Sequence, residues 1–365
     1  MSTDFNAVLS HFDILGDFIL AERYGSGHIN DTYMVIFNQA GHPVRYILQR
    51  INTNVFKDPV SLMDNISRVL AHSKEKLSGL KDATRRALTL VKTLDGKMYY
   101  QDAEGSCWRV YLFIERARTY DVLESANYAY QAAKAFGSFQ SLLADIPGER
   151  LHETIPNFHN TPSRLADFDK ALAADVCGRA ASAKAEIEFV QKWRSIAPVL
   201  LDLQAKGEIP ERITHNDTKI NNVMLDDESG EAICVIDLDT IMPGISLYDF
   251  GDLVRTSTSP AAEDEKNLDK VYARMEMFEA LAKGFLEGAG GCLTPKEIEM
   301  MPFSGMLITF EIGVRFITDY LEGDKYFKVK REGHNLDRCR TQFKLVQSLK
   351  DQEAEMNKIM ERLTK

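Results

Sequence analysis

Cysteine is scarce: Cys107, Cys177, Cys234, Cys292 and Cys339 are the five of them, far apart in the chain, with none in a C-x-x-C pair. That spacing excludes a disulfide framework and a structural zinc site, and it suits reduced thiols in a cytoplasmic protein. Basic charge is in the minority. Lys+Arg is 44 against 54 for Asp+Glu, a net charge of −10. A general nucleic-acid binder needs a basic surface, so that class is excluded, while a local basic site for a small phosphate ligand is not. Long apolar runs are also missing, and no stretch is expected to span a bilayer. The first twenty residues lack the basic start and apolar run of a signal peptide. Nothing indicates a membrane or an obligate protein partner. There is no internal repeat and no low-complexity segment.

What remains is apolar material in quantity. Hydrophobic residues are 44% of 365, enough for two cores rather than one. The first hundred or so residues alternate as strands do. Phe18 to Tyr24 leads into Gly25-Ser26-Gly27. The β-type run Thr32 to Phe37, the turn Gly41-His42-Pro43 and the run Val44 to Gln49 follow. After Pro59 the period changes, with Leu62, Ile66, Val69 and Leu70 at helical spacing. Met98 to Tyr100 and Trp108 to Ile114 resume the strand pattern. Beyond Glu115 the chain reads as helix, notably Ala129 to Leu143, Ala180 to Ile196, Lys266 to Leu286 and Leu336 to Leu363. One hairpin interrupts it, turning at Asp226 to Gly230. The expectation is an α+β, bilobal, kinase-like plan. A nucleotide-binding lobe spans 1–114, and a catalytic and acceptor-binding lobe spans 115–365.

The strongest chemical signal is His215-Asn216-Asp217-Thr218-Lys219-Ile220-Asn221-Asn222. Its form, H-x-D-x-x-x-x-N, is the catalytic-loop spacing of kinases. An acceptor hydroxyl must be oriented and its proton accepted, a task for the Asp217 carboxylate. The amide oxygen of Asn222 suits Mg²⁺. Lys219 is placed to meet charge developing on a transferred phosphoryl group. Twenty residues after Asp217, the apolar run Ile233 to Ile236 ends in Asp237, the expected second metal ligand. Asp239 shares that strand face if the extended geometry continues. Asp249-Phe250-Gly251 spells the D-F-G of protein kinases but does not leave a buried strand. It reads as a structural acid bonding the loop from behind.

These blocks, with Tyr248 to Asp252, resemble the aminoglycoside phosphotransferase and choline kinase group. Tyr24 to Asn30, Tyr46 to Gln49, Trp108 to Tyr111, Ile236 to Gly244 and Arg315 to Phe327 carry the likeness further. Within the group they are similar to the N-acetylhexosamine 1-kinase family, over nearly the whole chain. The resemblance implies transfer of the ATP γ-phosphoryl to the C1 hydroxyl of N-acetylglucosamine or N-acetylgalactosamine. It implies Asp217 as base, Asn222 and Asp237 as magnesium ligands, and Arg315 and Tyr326 as sugar contacts.

The remaining candidates are for nucleotide and acceptor. Gly25, Ser26 and Gly27 lie between the first two strands, where backbone N–H groups can cover phosphate. His28 and Asn30 face either phosphate or sugar. Gln49 stands where kinases usually place a phosphate-binding lysine, and the helix after Pro59 offers no evident glutamate partner. Trp108 to Glu115 is the expected hinge strand, with Tyr111, Phe113, Ile114 and Glu115 around an adenine. Two other readings stay open. One is a same-fold kinase for a hexose, aminoglycoside, choline or homoserine. The other is a nucleotide-binding pseudokinase.

Overall fold

The computed structural model describes residues 4–25, 27, 29–120 and 125–365. Ser26 and His28 lie outside them. The chain forms two compact units. The first is Met1–Arg118, Asp145–Pro156 and Met224–Met242; the second is Thr119–Ala144, Asn157–Val223 and Pro243–Lys365.

In the first unit, helix α1 (Phe5–Leu9) precedes strands β1 (Asp17–Arg23), β2 (Asp31–Gln39) and β3 (His42–Ile51). Helix α2 (Pro59–Leu77) and strands β4 (Leu90–Val91), β5 (Tyr100–Gln101), β6 (Cys107–Leu112) and β7 (Ala117–Arg118) follow. The main sheet runs β1-β2-β3-β6-β4, with β5 also on β6. Alternation along these strands sorts their side chains. Val35, Phe37, Leu48, Trp108 and Val110 pack with Val8, Leu9 and Phe12. Gln49 and Arg109 therefore belong to the opposite face. Helix α1 is an addition to the sequence expectation, since five residues are too few to display a helical period.

Helix α2 is capped by Asp58, whose side chain accepts from the Val60 and Ser61 amides, and begins at Pro59. Its buried face holds the expected Leu62, Ile66, Val69 and Leu70, and also Asn65. The Asn65 Nδ2 donates to the carbonyls of His152 (2.8 Å) and Ile241 (3.0 Å), and its Oδ1 accepts from the His152 amide (2.9 Å). One buried amide thereby ties both returning segments to α2. Strands β9 (Val223–Asp226) and β10 (Ala232–Val235) form the expected hairpin, and β9 pairs with β7.

The second unit contains helices α3 (Ala126–Leu143), α4 (Thr161–Ala174), α5 (Lys184–Trp193) and α6 (Val199–Ala205), then strand β8 (Arg212–Thr214). Helices α7 (Ser246–Ser257), α8 (Met275–Ala289), α9 (Pro295–Glu322), α10 (His334–Asp351) and α11 (Glu353–Leu363) complete it. Three helical expectations need correction. Ala180 to Ile196 is α5 with a 3₁₀ turn at each end, because Ala183 leaves helical geometry (φ −114°, ψ 22°). Lys266 to Leu286 is α-helical only from Met275, with a 3₁₀ turn at Leu268–Lys270 before it. Leu336 to Leu363 breaks at Gln352, whose side chain turns to the Ala273 carbonyl at 2.8 Å. At Gln352 a tertiary contact overrides propensity.

The membrane expectation also needs correction. Helix α9 is long and apolar enough to cross a bilayer by length and composition, but 83% of its most apolar window is buried inside the unit. It starts on a capping box between Thr294 and Glu297. Arg212 donates to both Glu297 oxygens at 2.7 Å. That pair holds the strand entering the catalytic loop against the start of α9.

Helices α3 and α8 meet at backbone distance. A Cβ on Gly284 would stand 2.2 Å from the Tyr130 carbonyl oxygen, and one on Gly288 2.2 Å from that of Lys134. Neither neighbour is a flexible side chain that can step aside. Gly284→Ala should push the helices apart and lower the unfolding free energy by about 1–3 kcal/mol, read from denaturant melts. An unchanged midpoint would contradict this packing.

Candidate active site

Strand β8 delivers the chain into His215 to Asn222, and the loop there is held from behind. Asp249, in the first turn of α7 and wholly buried, accepts from the His215 amide (2.9 Å) and the Asn216 amide (2.7 Å). Gln140 of α3 donates to the same carboxylate at 2.6 Å. Burial pushes the Asp249 carboxyl up, while His215, the two amides and Gln140 pull it down. Asp249 is thus the structural acid that the sequence suggested. Asp252, one turn on, accepts from the Thr218 amide at 3.0 Å. Burial raises its carboxyl, but Arg255, donating at 2.7 Å, outweighs burial and leaves it low.

Between these anchors Asn216 adopts a left-handed backbone (φ 64°), an uncommon state for a residue other than glycine. Asp217 follows directly. Its Oδ2 lies 3.0 Å from the Lys219 Nζ. The Asn222 Nδ2 donates to the Asp217 carbonyl (2.8 Å) and to Oδ2 (3.2 Å). With Nδ2 so engaged, the Asn222 Oδ1 is left as a hard oxygen donor, the type Mg²⁺ takes. The His215 Nδ1 accepts from the Asp217 amide at 3.3 Å, and its ring packs edge-on to Phe136. His215 therefore supports the loop. The structure brings Asp217, Lys219 and Asn222 together as the motif implied.

A second group lies beside them in the same unit. The His159 Nδ1 is 2.8 Å from Glu311 Oε1, and its Nε2 is 3.2 Å from the Asn216 carbonyl oxygen. Both partners are acceptors, so both bonds form only when both ring nitrogens carry hydrogen. Glu311 is fully buried on α9. Burial raises its carboxyl, but His159 and Thr161 hold it low. One helical turn further along α9 is Arg315, whose guanidinium stacks near Phe158 (5.5 Å), Tyr326 (5.7 Å) and Phe327 (5.5 Å). Its Nη2 is 3.5 Å from the Tyr326 hydroxyl. The Tyr326 loop is fixed by Asp319, which accepts from the Lys325, Tyr326 and Phe327 amides at 2.7–2.9 Å. Arg164, near the start of α4, donates to the Phe158 carbonyl at 2.9 Å. Burial and the nearby charge of Arg315 depress its guanidinium. Among the described residues neither Arg164 nor Arg315 has a carboxylate within ion-pair reach.

In the first unit, Gly25 (φ 78°) opens the turn after β1, and Gly27 follows. Asn30 closes the turn, with its Nδ2 2.5 Å from Asp239 Oδ2. Asp237 follows β10 in a left-handed conformation (φ 58°), and residues 238–240 form a 3₁₀ turn. The extended geometry therefore does not continue, and Asp239 does not share a strand face with Asp237. It pairs instead with Arg109 at 2.5 Å. Gln49 accepts from the Arg109 Nε at 3.0 Å and donates to Thr32 at 3.0 Å. On β6, Tyr111 is buried beside Arg109. Phe113 contacts Tyr24 and Arg45, and Glu115 pairs with Arg45. Ile114 turns into a separate cluster with Ala117, Met224 and Cys234.

The sequence reading missed Arg109, His159, Arg164 and Glu311. For two of them a signal existed: Arg109 and Glu311 are charges inside otherwise apolar runs, and such residues are buried only when partnered.

Asp249→Ala would leave two buried amides and the Gln140 side chain without their acceptor. Each such group costs roughly 1–3 kcal/mol. The variant should melt markedly earlier and lose activity, while Gln140→Ala should show a smaller loss of both. A stable, active Asp249→Ala protein would show that the loop does not depend on this carboxylate.

A family model described as the phosphotransferase enzyme family matches residues 21–282, well over half of the chain. Among solved structures, the chain is similar to an aminoglycoside phosphotransferase from Alicyclobacillus acidocaldarius. The TM-score is 0.63 at 13% identity, over 99% of this chain and 98% of that one. A choline kinase from Cryptosporidium parvum Iowa II gives 0.57 at 13% identity, over 97% and 95%. Aminoglycoside 2'-phosphotransferase-IIIa, solved as a GDP complex, gives 0.56 at 12% identity, over 96% and 97%. At these identities the likeness is one of fold. It is protein-kinase-like, with a β-sheet N-terminal region and a helical C-terminal region.

Proposed function

We propose, from the premise that the chain belongs to the phosphotransferase enzyme family, that it transfers the γ-phosphoryl of ATP to the anomeric hydroxyl of an N-acetylhexosamine. The product is the sugar 1-phosphate. Asp217 accepts the proton of the C1 hydroxyl as its oxygen attacks the γ-phosphorus. The bond from that phosphorus to the β-bridging oxygen breaks, and ADP leaves. The anomeric hydroxyl is more acidic than other sugar hydroxyls, so a carboxylate suffices as base. Lys219, already 3.0 Å from Asp217, is the nearby cation for charge on the phosphoryl oxygens. Asn222 and Asp237 are assigned to Mg²⁺, whose chemistry is to neutralise phosphate charge and align the leaving group. The first unit contributes Gly25, Gly27 and the Tyr111 to Glu115 segment to the nucleotide.

The observation that carries the acceptor reading is the Arg315–Tyr326 pair with Arg164 beside it. Choline and aminoglycosides are cations, and two arginines without carboxylate partners repel them. A neutral sugar offers hydroxyl and amide oxygens to the guanidinium and the phenol, and its C–H faces suit Phe158, Tyr326 and Phe327. Hexoses remain the second reading, because the same groups serve them.

The test is ATP consumption with N-acetylglucosamine, N-acetylgalactosamine, glucose, galactose, choline and an aminoglycoside, with phosphorus NMR of the product. Turnover of an N-acetylhexosamine to a 1-phosphate is expected. A 6-phosphate, or choline as the best acceptor, would overturn the assignment while leaving a phosphotransferase.

Two variants separate the roles. Asp217→Asn should lower kcat by roughly 10²–10⁴ and leave thermal stability unchanged. Arg315→Ala should raise the KM for sugar and leave that for ATP alone. The reverse split would assign Arg315 to the nucleotide.

A further inference from the structure

We propose that Arg109, on β6, is a positioning residue of the nucleotide site: with Gln49 on β3 bringing no charge, Arg109 pairs with Asp239, offsets that acidic charge and holds the corner that carries Asp237. This rests on the ATP reading above and adds a positioning residue to it.

The strand register sets up the exchange. Gln49 is opposite Thr32 on β2 and opposite Arg109 on β6. Residues directly opposite in an antiparallel pair share a face, so the three side chains form one row across three strands. Arg109 Nε donates to Gln49 Oε1 at 3.0 Å, which fixes the amide so that its Nε2 donates to Thr32 Oγ1 at 3.0 Å. Both ends of Gln49 are thereby committed to neighbours on the sheet. It cannot turn to a phosphate without breaking both bonds.

Arg109 is 1% exposed and its charge is real. Burial acts against the guanidinium, but Asp239, Tyr111 and Asp237 outweigh it and raise its pKa. Arg109 Nη1 lies 2.5 Å from Asp239 Oδ1, a close ion pair in which that oxygen accepts no well-aligned hydrogen bond. Asp239 Oδ2 takes the Asn30 amide at 2.5 Å. Asn30 Oδ1 in turn accepts from the Asn52 amide at 2.9 Å. The pair therefore joins the end of the glycine turn, the middle of the sheet and the corner that carries Asp237.

Two consequences follow for a polyphosphate ligand. Without Arg109, Asp237 and Asp239 would place two acidic groups two residues apart against an anion. Arg109 cancels one of them. It also holds the left-handed corner at Asp237 through Asp239. Since its side chain is buried, Arg109 acts through these partners and does not touch the nucleotide. A lysine–glutamate pair in the usual kinase arrangement joins a strand to a movable helix. Here both partners are buried in the sheet-and-corner framework, so the pair cannot open by a helix swing.

The test is magnesium–ATP binding to the full chain by titration calorimetry, which needs no knowledge of the acceptor. Arg109→Met alone strands a buried carboxylate and is prone to misfold, so two double variants carry the test. Arg109→Met/Asp239→Leu removes the pair together and should fold, yet bind ATP at least tenfold more weakly than wild type. Arg109→Met/Gln49→Lys returns a cation to the same row of the sheet on β3 and should bind within about threefold of wild type. Wild-type affinity in Arg109→Met/Asp239→Leu, or no recovery in Arg109→Met/Gln49→Lys, overturns the inference alone. Failure of the wild-type protein to bind any adenine nucleotide overturns the ATP reading and this inference with it.

Discussion

The candidate catalytic loop of this phosphotransferase hangs from one buried carboxylate. Asp249 is wholly buried, so its oxygens must find donors inside the protein. It finds them in two consecutive amides of the loop and in a side chain of α3. Because α7 carries Asp249 and α3 carries Gln140, any shift of either helix is transmitted to the residue before Asp217. In the same unit α3 and α8 approach at glycine-to-carbonyl distance, and Arg212 clamps β8 to the start of α9. The helical unit is rigid where the loop hangs from it.

Each unit also contains a left-handed corner at a residue other than glycine: Asn216 next to Asp217, and Asp237 itself. Such conformations persist only where surrounding bonds overdetermine them. Around Asn216 these are the bonds from Asp249 and His159. Around Asp237 they include the 3₁₀ turn and the Arg109–Asp239 pair. The corners aim short polar side chains that a regular strand would have directed elsewhere.

This accounts for what the sequence could and could not convey. The strand and helix alternation was legible, as were the hairpin at Asp226 to Gly230 and the loop motif, because period and spacing are local properties. Asp249 was legible because D-F-G failed to follow a buried strand. Asp239 was not, since its placement depended on whether the chain stayed extended past Asp237, and the left-handed turn decided that. Arg109 falls in the expected hinge strand, with no role of its own marked by the sequence. Its partner is 130 positions away in sequence, and nothing local announces such a pairing. The end of α10 is hidden for a related reason, because the single tertiary contact of Gln352 with Ala273 ends a helix that propensity would continue.

The buried and half-buried charges themselves sort into two kinds. Glu297 has Arg212, Asp252 has Arg255, Glu311 has His159, and Asp239 has Arg109. Each pair offsets a desolvation penalty that neither member could bear alone. Arg164 and Arg315 break this pattern. Burial, and after it the nearby charge of Arg315, depress the Arg164 guanidinium; Glu311 and Asp167 counter this from a distance, and among the described residues no carboxylate lies within ion-pair reach of either arginine. Both arginines are only half-buried, so a ligand that brings oxygen atoms would meet charge not tied into a close ion pair. Arg315 lies one turn from Glu311, Glu311 holds His159, and His159 holds the carbonyl of Asn216, next to Asp217. The Arg315 charge and the candidate base are thus linked through one helical turn and two hydrogen bonds in one unit. An acceptor gripped at Arg315 would be gripped by the same framework that orients Asp217, so recognition and chemistry would share one set of supports.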